Sequence, residues 1–336
     1  MGRNGHINFL LLLKMPVLSV KAPGKTILFG EHAVVYNYPA IAVPINSIQL
    51  KINIMPLPDA RNELIFIFNM DTKSRYTLQD LSDDHFIKKA INQICAFAGI
   101  TRLPAMEIQI QSTIPISSGL GSSAAFAVAL SKAVLGFLGF NPSLEEINEI
   151  AFKIEIHQHG TPSGIDNTVI AYNKPILYQR GHPLALLDIQ EPISLVIADS
   201  GIHIPTKQTV LEVKKRYQEN KKVVENIFEK IGELTTDAVV PLKRGKIIKL
   251  GKLMNQNHSL LQKLDVSSKK LDMLVSTALN NHALGAKLCG GGKGGSIVAI
   301  AEFNNLEEIR DSLLLAGAVS CFIFRLSPNK NRGKDD

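Results

Sequence analysis

Hydrophobic and polar residues follow two different periods along this chain, and they predict a mixture of strands and helices. Polar and apolar residues alternate through Met106–Gln111, which predicts a half-buried strand. Apolar residues recur at helical spacing through Phe86–Phe97, which predicts an amphipathic helix. The stretch Ala124–Phe137 consists of small, apolar, helix-favouring residues. The chain therefore predicts a strand, a glycine-rich loop and a helix in succession between residues 106 and 137.

The same patterns place further elements along the chain. Two short strands, Val17–Val20 and Thr26–Phe29, are predicted around a Pro23–Gly24 turn. A helix is predicted to begin after Ser143, an N-cap that Glu146 completes as a capping box, and to stop near residues 159–160. The remaining predicted strands are Ala40–Ile54, Leu64–Phe68, Ile193–Ala198, Ser296–Ala301 and Cys321–Leu326, and the remaining predicted helices span about 207–231, 244–263 and 268–283.

Composition places the chain among globular proteins. Its 336 residues are 45% hydrophobic and 20% charged, which excludes disorder as the main state and favours two domains with a boundary near residues 190–200. None of the three cysteines lies in a C-x-x-C pair, so a zinc ribbon is not expected. An odd and sparse cysteine count favours a reducing cytoplasm. A net charge of +7 favours anionic substrates, whereas the lack of Trp argues against nucleic-acid binding.

The first fourteen residues are interpreted as an N-terminal extension. The apolar run Phe9–Leu13 resembles a signal-peptide core, but it is too short to span a membrane and no small-x-small cleavage site follows it. Met15 comes directly before a strand-like stretch. The hypothesis is therefore that Met15 is the natural start, and no membrane association is expected.

The glycine-rich loop Pro115–Ala125 is the strongest local signal for ligand binding. Glycines let backbone N–H groups approach a ligand, and the helix that follows presents free N–H groups, so the loop is suited to phosphate. Its serine hydroxyls, which can bind phosphate oxygens or a magnesium ion, belong to Ser117, Ser118, Ser122 and Ser123.

Two known phosphate loops can be compared with this one. The Walker A pattern is absent. Gly119–Ala124 matches the dinucleotide fingerprint G-x-G-x-x-A, which leaves an oxidoreductase as an alternative. The acidic residue expected about 20 residues later, at the end of a second strand, is missing because Phe137–Glu146 is predicted to be a loop and a helix start.

A second glycine-rich run, Cys289–Ser296, has five glycines in six positions. So many glycines cost chain entropy, which makes the run a poor plain connector. It is expected to pack its backbone closely against a ligand or against the first loop.

Candidate acid, base and metal residues follow the first loop. Glu155 is predicted near a helix end and Asp166 beyond a Pro/Gly turn, where one carboxylate can bind magnesium and the other can accept a hydroxyl proton. Lys25, expected at the mouth of the first hairpin, can neutralise a carboxylate or lower the pKa of a substrate alcohol. His157 and His159 are interpreted as loop or core histidines.

Four segments together resemble the GHMP kinase superfamily. Any one of them is a weak or moderate signal, but they occur in the family's order and span residues 17 to about 326. They are Ala22–Val35, Pro115–Ala125, His159–Asn167 and Lys287–Gly295. The resemblance implies an α+β GHMP kinase fold, with a ribosomal protein S5 domain 2-like ATP-binding domain over residues 15–195 and a ferredoxin-like domain over 196–336.

The resemblance also implies roles for single residues. Asp166 matches the catalytic base, and Lys25 matches the lysine that contacts that aspartate and the substrate. Ser123 and Glu155 match the two magnesium ligands. The positions that match nucleotide contacts are Ser112, Ser117, Ser118, Gly119, Leu120, Gly121, Ser122 and Ser123, and those that match the substrate pocket are Lys25, Glu31, His32, Asp166 and Thr206.

The implied activity is ATP-dependent phosphorylation of a small alcohol with Mg²⁺ as cofactor. The Gly30–Val35 and His159–Asp166 sequences resemble the members that phosphorylate the 5-hydroxyl of mevalonate, in isoprenoid biosynthesis, rather than those that act on galactose or homoserine. A sister kinase for phosphomevalonate or a sugar remains an alternative. The sparse cysteines favour a cytoplasmic enzyme, and a homodimer is left open. Two departures from the family are Lys293, where Gly is usual, and Cys289, where Thr or Ser is common.

Overall fold

The computed structural model describes residues 17–57, 64–116, 118–160 and 162–328. Its chain forms two compact units, each made of several segments. Unit 1 comprises residues 1–24, 47–114 and 121–173, and unit 2 comprises residues 25–46, 115–120 and 174–336. The predicted extension 1–14, Met15 and Ser117 lie outside the described residues. The domain boundary predicted at residue 195 stays a prediction.

Strand β1 (Leu18–Phe29) is continuous, so the prediction of two strands around a turn is wrong. Every residue from Ala22 to Phe29 is buried. That burial favours the extended backbone, although Pro23 and Gly24 are typical turn residues. β1 pairs with strand β2 (Ala40–Pro56), which confirms the long strand predicted from residue 40.

The sheet of unit 1 is mixed. β3 (Ile65–Asn69) pairs with β4 (Ser74–Thr77) in antiparallel register. It also pairs in parallel register with β5 (Met106–Ser112), which follows the helix α1 (Phe86–Ala98) in the chain. β5 also pairs with the second half of β2, from Leu50 opposite Ser112 to Pro56 opposite Met106. The period-two pattern of β5 and the helical period of α1 are both confirmed.

Three further helices complete unit 1, and they carry the predicted phosphate and carboxylate residues. They are α2 (Ser122–Phe137), α3 (Leu144–His159) and α4 (Ile165–Tyr172), and each packs against the other two. Most of α2 is buried, because its alanines let neighbouring helices approach closely. The Ser143 hydroxyl accepts a hydrogen bond from the Glu146 N–H, and Glu146 Oε2 accepts one from the Ser143 N–H. The predicted capping box is therefore confirmed.

Unit 2 contains two groups of strands. The first residues of β2 pair with β6 (Ile176–Tyr178), which pairs with β7 (Ala185–Leu186). A separate antiparallel sheet contains β8 (Ile193–Asp199), β9 (Gly285–Cys289), β10 (Ser296–Ile300) and β11 (Ser320–Leu326), in the order β11–β8–β10–β9. Every residue of β8, β9 and β10 is buried, as the apolar runs of β8 and β10 predict; β9 was not predicted.

The helices of unit 2 are α5 (Thr206–Glu219), α6 (Lys221–Lys243), α7 (Ile247–Lys263), α8 (Lys269–Asn280) and α9 (Leu306–Leu315). The prediction of one helix over 207–231 is wrong, because Asn220 leaves helical geometry with φ −138°. Asparagine favours such breaks, since its side chain competes for backbone hydrogen bonds. Within the described ranges, no helix is long and apolar enough to cross a membrane.

Candidate active site

The first glycine loop leads directly into the N-terminus of α2. Gly121 takes the left-handed conformation, with φ +83°, and α2 begins at the next residue. No described side chain caps this helix end. Its first N–H groups and the positive end of its dipole are therefore suited to an anion, and the predicted phosphate site stays a prediction.

Ser123 and Glu155 are in direct contact within unit 1. The Ser123 hydroxyl donates to Glu155 Oε1 at 2.5 Å, which joins the first turn of α2 to α3. Glu155 is only 3% exposed. Asp166 follows Glu155 by eleven positions, and the packing of α3 against α4 places both carboxylates on neighbouring helices.

This pair suits magnesium by its chemistry. A hydroxyl and a carboxylate are the hard oxygen ligands that Mg²⁺ prefers. Among the described residues, no three His, Cys, Asp or Glu side chains cluster as a metal site. A magnesium ion held by Ser123 and Glu155 would need its other ligands from phosphate and water, which is its usual mode in phosphoryl-transfer sites.

Asp166 is the second residue of α4, so it belongs to a helix rather than to the turn that precedes it. Its side chain is half-buried. Two contacts fix the start of α4: Asn167 Nδ2 donates to Asn148 Oδ1 at 2.6 Å, and Thr168 Oγ1 donates to the Gly164 carbonyl at 2.6 Å. The backbone that carries Asp166 is therefore held in place.

Ser112 and His157 are also in unit 1. Ser112 ends β5, and its N–H donates to Asp71 Oδ2 at 2.8 Å. Asp71 is a partner that sequence reasoning missed, since no pattern links a turn residue to a strand end 41 positions later. His157 is exposed on α3, rather than in a loop or the core as expected.

Lys25 belongs to unit 2 and lies inside β1, not at a hairpin mouth. It is 3% exposed, which corrects the prediction that it sits at a turn. Its backbone N–H donates to the Leu120 carbonyl at 2.9 Å. This bond attaches the strand that carries Lys25 to the first glycine loop.

The second glycine run packs against the first loop, which confirms one of the two expectations for it. Ser296 Oγ donates to the Ser118 carbonyl at 3.0 Å, and Gly290 lies against Gly119. Gly292 has φ +78°, and a Cβ there would lie 2.0 Å from the Val266 carbonyl oxygen. A larger residue at position 292 therefore requires the surrounding backbone to shift.

The structure shows the surroundings of both departures in this run. Lys293 takes φ +59°, where glycine is favoured, and its Nζ lies 3.3 Å from Asp265 Oδ2. The lysine thus forms a partly exposed ion pair. Cys289 is buried, and burial raises the pKa of its thiol to about 11, so the thiol is neutral and unreactive near pH 7.

Glu31 and His32 form a buried corner after β1 in unit 2. Glu31 is 1% exposed; its Oε1 pairs with the Lys287 ammonium and its Oε2 accepts from Asn257 Nδ2 at 3.2 Å. Sequence reasoning assigned no role to Lys287 or Asn257. The available signal was a lysine inside the apolar strand β9, because a buried lysine requires a partner.

His32 is neutral near pH 7. Burial lowers the pKa of its imidazole to about 4, with a weaker opposing effect of the hydrogen bond to Gly291. Its Nε2 lies 2.9 Å from the Gly291 carbonyl oxygen, which can only accept, so we assign the proton to Nε2. Nδ1 is then a hydrogen-bond acceptor.

Thr206 is the exposed first residue of α5. Its carbonyl accepts a hydrogen bond from Thr209 Oγ1 at 3.0 Å, which supports the first turn of the helix. Thr206 also lies against the second glycine run, because a Cβ at Gly291 would lie 3.3 Å from its methyl group. Three predicted residues of unit 2, Glu31, His32 and Thr206, thus surround strand β9 and the loop that follows it.

Known sequence families match both parts of the chain. The profile for the GHMP kinases N terminal domain matches residues 85–174, and that for the GHMP kinases C terminal domain matches residues 238–318. The N-terminal match contains Ser123, Glu155 and Asp166. The chain is therefore a GHMP kinase.

Relatives narrow this assignment. The chain is 37% identical to the mevalonate kinase of Pyrococcus furiosus, over 88% of this chain and 92% of the relative, and 32% identical to that of Saccharolobus solfataricus, over 84% and 90%. The crystal structure of L. major mevalonate kinase in complex with R-mevalonate matches with a TM-score of 0.78 and 29% identity, covering 94% of this chain and 97% of that one. The chain belongs to the mevalonate kinase family.

Proposed function

We propose that this protein transfers the γ-phosphoryl group of ATP to the 5-hydroxyl of (R)-mevalonate, giving 5-phosphomevalonate for isoprenoid biosynthesis. The observation that carries the proposal is the Ser123–Glu155 contact at the start of α2, in a chain whose relatives are mevalonate kinases. That contact joins a phosphate-binding helix end to a buried carboxylate, which is what phosphoryl transfer from a nucleotide requires.

The phosphates of ATP bind at the first glycine loop and the N-terminus of α2. The residues proposed to contact the nucleotide are Ser112, Ser117, Ser118, Gly119, Leu120, Gly121, Ser122 and Ser123. Ser123 and Glu155 hold Mg²⁺, which neutralises charge on the triphosphate when it is bound. Because phosphoryl transfer depends mostly on positioning and charge neutralisation, this set supplies much of the catalysis.

Asp166 accepts the proton of the 5-hydroxyl as that oxygen attacks the γ-phosphorus. A new O–P bond forms, the bond between the β,γ-bridging oxygen and the γ-phosphorus breaks, and ADP leaves. Lys25 balances the negative charge that collects on the substrate oxygen and on Asp166. A buried lysine suits this role, because low local dielectric strengthens its electrostatic effect.

Mevalonate binds beside Glu31, His32 and Thr206. The neutral His32 offers Nδ1 as an acceptor for a substrate hydroxyl, and a neutral imidazole does not compete with Lys25 for the negative charge. A sister kinase acting on phosphomevalonate or a sugar is not favoured by relatives that are named mevalonate kinases at 30–37% identity.

The test uses the full chain with ATP, Mg²⁺ and (R)-mevalonate, and phosphorus NMR to locate the new phosphate. We expect Asp166→Asn to lower kcat at least about 100-fold while ATP still binds, since general-base help contributes about 10²–10⁴-fold. Lys25→Met is expected to lower kcat as well. Lys21→Met is the matched control, because Lys21 is exposed on the same strand and should leave kcat unchanged.

Two results would contradict the proposal. Near-normal turnover of Asp166→Asn would remove the aspartate from its role. Faster phosphorylation of phosphomevalonate or galactose than of mevalonate by the unmodified enzyme would reassign the substrate.

The cytoplasmic location and the homodimer remain part of the proposal, and sedimentation of the purified enzyme tests the homodimer.

A further inference from the structure

The ion pair between Lys287 and Glu31 is the most deeply buried charged contact among the described residues. Lys287 is 0% exposed and Glu31 is 1% exposed. Removing either charge alone leaves the other buried without its partner, which is far more costly than the pair itself. A buried ion pair is weak evidence that the contact stabilises the fold, so we look for its role in what the two residues hold in place.

Both carboxylate oxygens of Glu31 already accept from protein donors. Oε1 accepts from the Lys287 ammonium, and Oε2 accepts from Asn257 Nδ2. The Lys287 ammonium also donates to the Leu288 carbonyl at 2.7 Å. Both charged groups are therefore directed towards the protein.

The pair holds one end of the corner that carries His32. Glu31 is tied to β9, and His32 is tied through Nε2 to Gly291, two residues after β9 ends. His32 has φ +61°, a conformation that a non-glycine residue keeps only when its surroundings impose it. Two adjacent residues are thus anchored to one strand and to its following loop.

We propose that Lys287 is a positioning residue for mevalonate binding, which acts by holding Glu31 so that His32 keeps the orientation in which its Nδ1 faces the substrate. Glu31 then contributes to the substrate site through this corner and not by touching mevalonate. The inference rests on the proposed function, since it assumes that His32 contacts the substrate.

A double-mutant cycle on the full chain tests the proposal, with Lys287→Met, Glu31→Gln and the double variant. Each single variant buries one unpaired charge, so we expect kcat/KM for mevalonate to fall about tenfold or more. In the double variant no charge is unpaired, and the glutamine can still accept from Asn257. We expect kcat/KM of the double variant to be no lower than that of the weaker single variant, because both substitutions break the same contact and residues that act as one unit couple strongly.

The kinetic constants are measured well below the melting temperature of each variant. We expect KM for mevalonate to change more than KM for ATP. Lys221→Met is the matched control: Lys221 belongs to an exposed pair with Glu225, with Nζ to Oε1 at 3.6 Å, and should change neither constant.

Two outcomes would overturn the proposal. If the losses of the single variants multiply in the double variant, Glu31 contacts the substrate directly. If only melting temperatures change and both KM values stay constant, the pair has a structural role alone. Failure of the proposed function is distinguishable, because the unmodified enzyme would then not phosphorylate mevalonate at all.

Discussion

Protonation of His32 should couple the stability of this protein to pH. Burial lowers the pKa of His32 to about 4 in the folded chain, from the 6.5 of an unperturbed histidine. Between pH 4 and pH 6.5, His32 is therefore mostly neutral in the folded chain and mostly protonated in the unfolded chain. The stability that His32 contributes is fully present above pH 6.5 and is lost progressively as the pH falls towards 4.

The magnitude follows from the two pKa values. One pKa unit corresponds to about 1.4 kcal/mol, so the full difference amounts to about 3 kcal/mol below pH 4. Between pH 7 and pH 5 the linkage relation gives a loss of about 2 kcal/mol from this single group. A loss of that size is a large fraction of the stability of a typical domain.

The assay is urea unfolding of the unmodified protein and of His32→Gln at pH 7, 6 and 5. Glutamine can place an amide near the position of Nε2 and does not titrate. Any strain that it adds at φ +61° is independent of pH, so it shifts the whole stability curve and not its slope. We expect the unmodified protein to lose about 2 kcal/mol more than the variant between pH 7 and pH 5.

Equal pH slopes for the two proteins would refute the reasoning, because they would mean that His32 titrates alike in both states. A direct check is an NMR titration of the histidine ring signals, in which the signal missing from His32→Gln should not titrate above pH 5. His258, whose pKa is also lowered by burial, is present in both proteins and cancels in the comparison.

Two further predictions concern the magnesium site and the second glycine run. Glu155→Gln keeps an oxygen for the Ser123 hydroxyl but removes the charge. We therefore expect the Mg²⁺ concentration for half-maximal rate to rise about tenfold or more. The control is Glu149→Gln, at an exposed position of the same helix, which should leave that concentration unchanged. Unaltered magnesium dependence in Glu155→Gln would exclude it as a ligand. Gly292→Ala should lower the melting temperature by more than Gly139→Ala, because both glycines have positive φ but only Gly292 lies against a backbone carbonyl; equal shifts would show that the loop can move aside.

Local patterns predicted most of the secondary structure. The alternation in β5, the helical period of α1 and the Ser143 capping box all depend on residues a few positions apart, and the structure contains each of them. The prediction failed at β1, where a Pro–Gly pair lies inside a buried strand. Burial outweighed the turn preference there, and burial is not visible in the local sequence.

The candidate site was predicted to a similar extent. Resemblance to GHMP kinases selected Ser123, Glu155, Asp166, Lys25 and the residues around Glu31, and the structure brings Ser123 into contact with Glu155. It also places Lys25 within a strand instead of at a turn. The roles of these residues in catalysis and binding remain predictions that the proposed variants test.

The sequence by itself determined the family, the glycine-rich loop with the helix that follows it, and most of the longer strands and helices. Each of these depends on residues that lie close together in the chain. Only the tertiary structure decided that Lys287 meets Glu31, 256 positions away, and that His32 is neutral and bonded to Gly291. The physical reason is that pairing and desolvation depend on which segments are buried together. That choice is made by the packing of the whole unit and not by any short stretch of the chain.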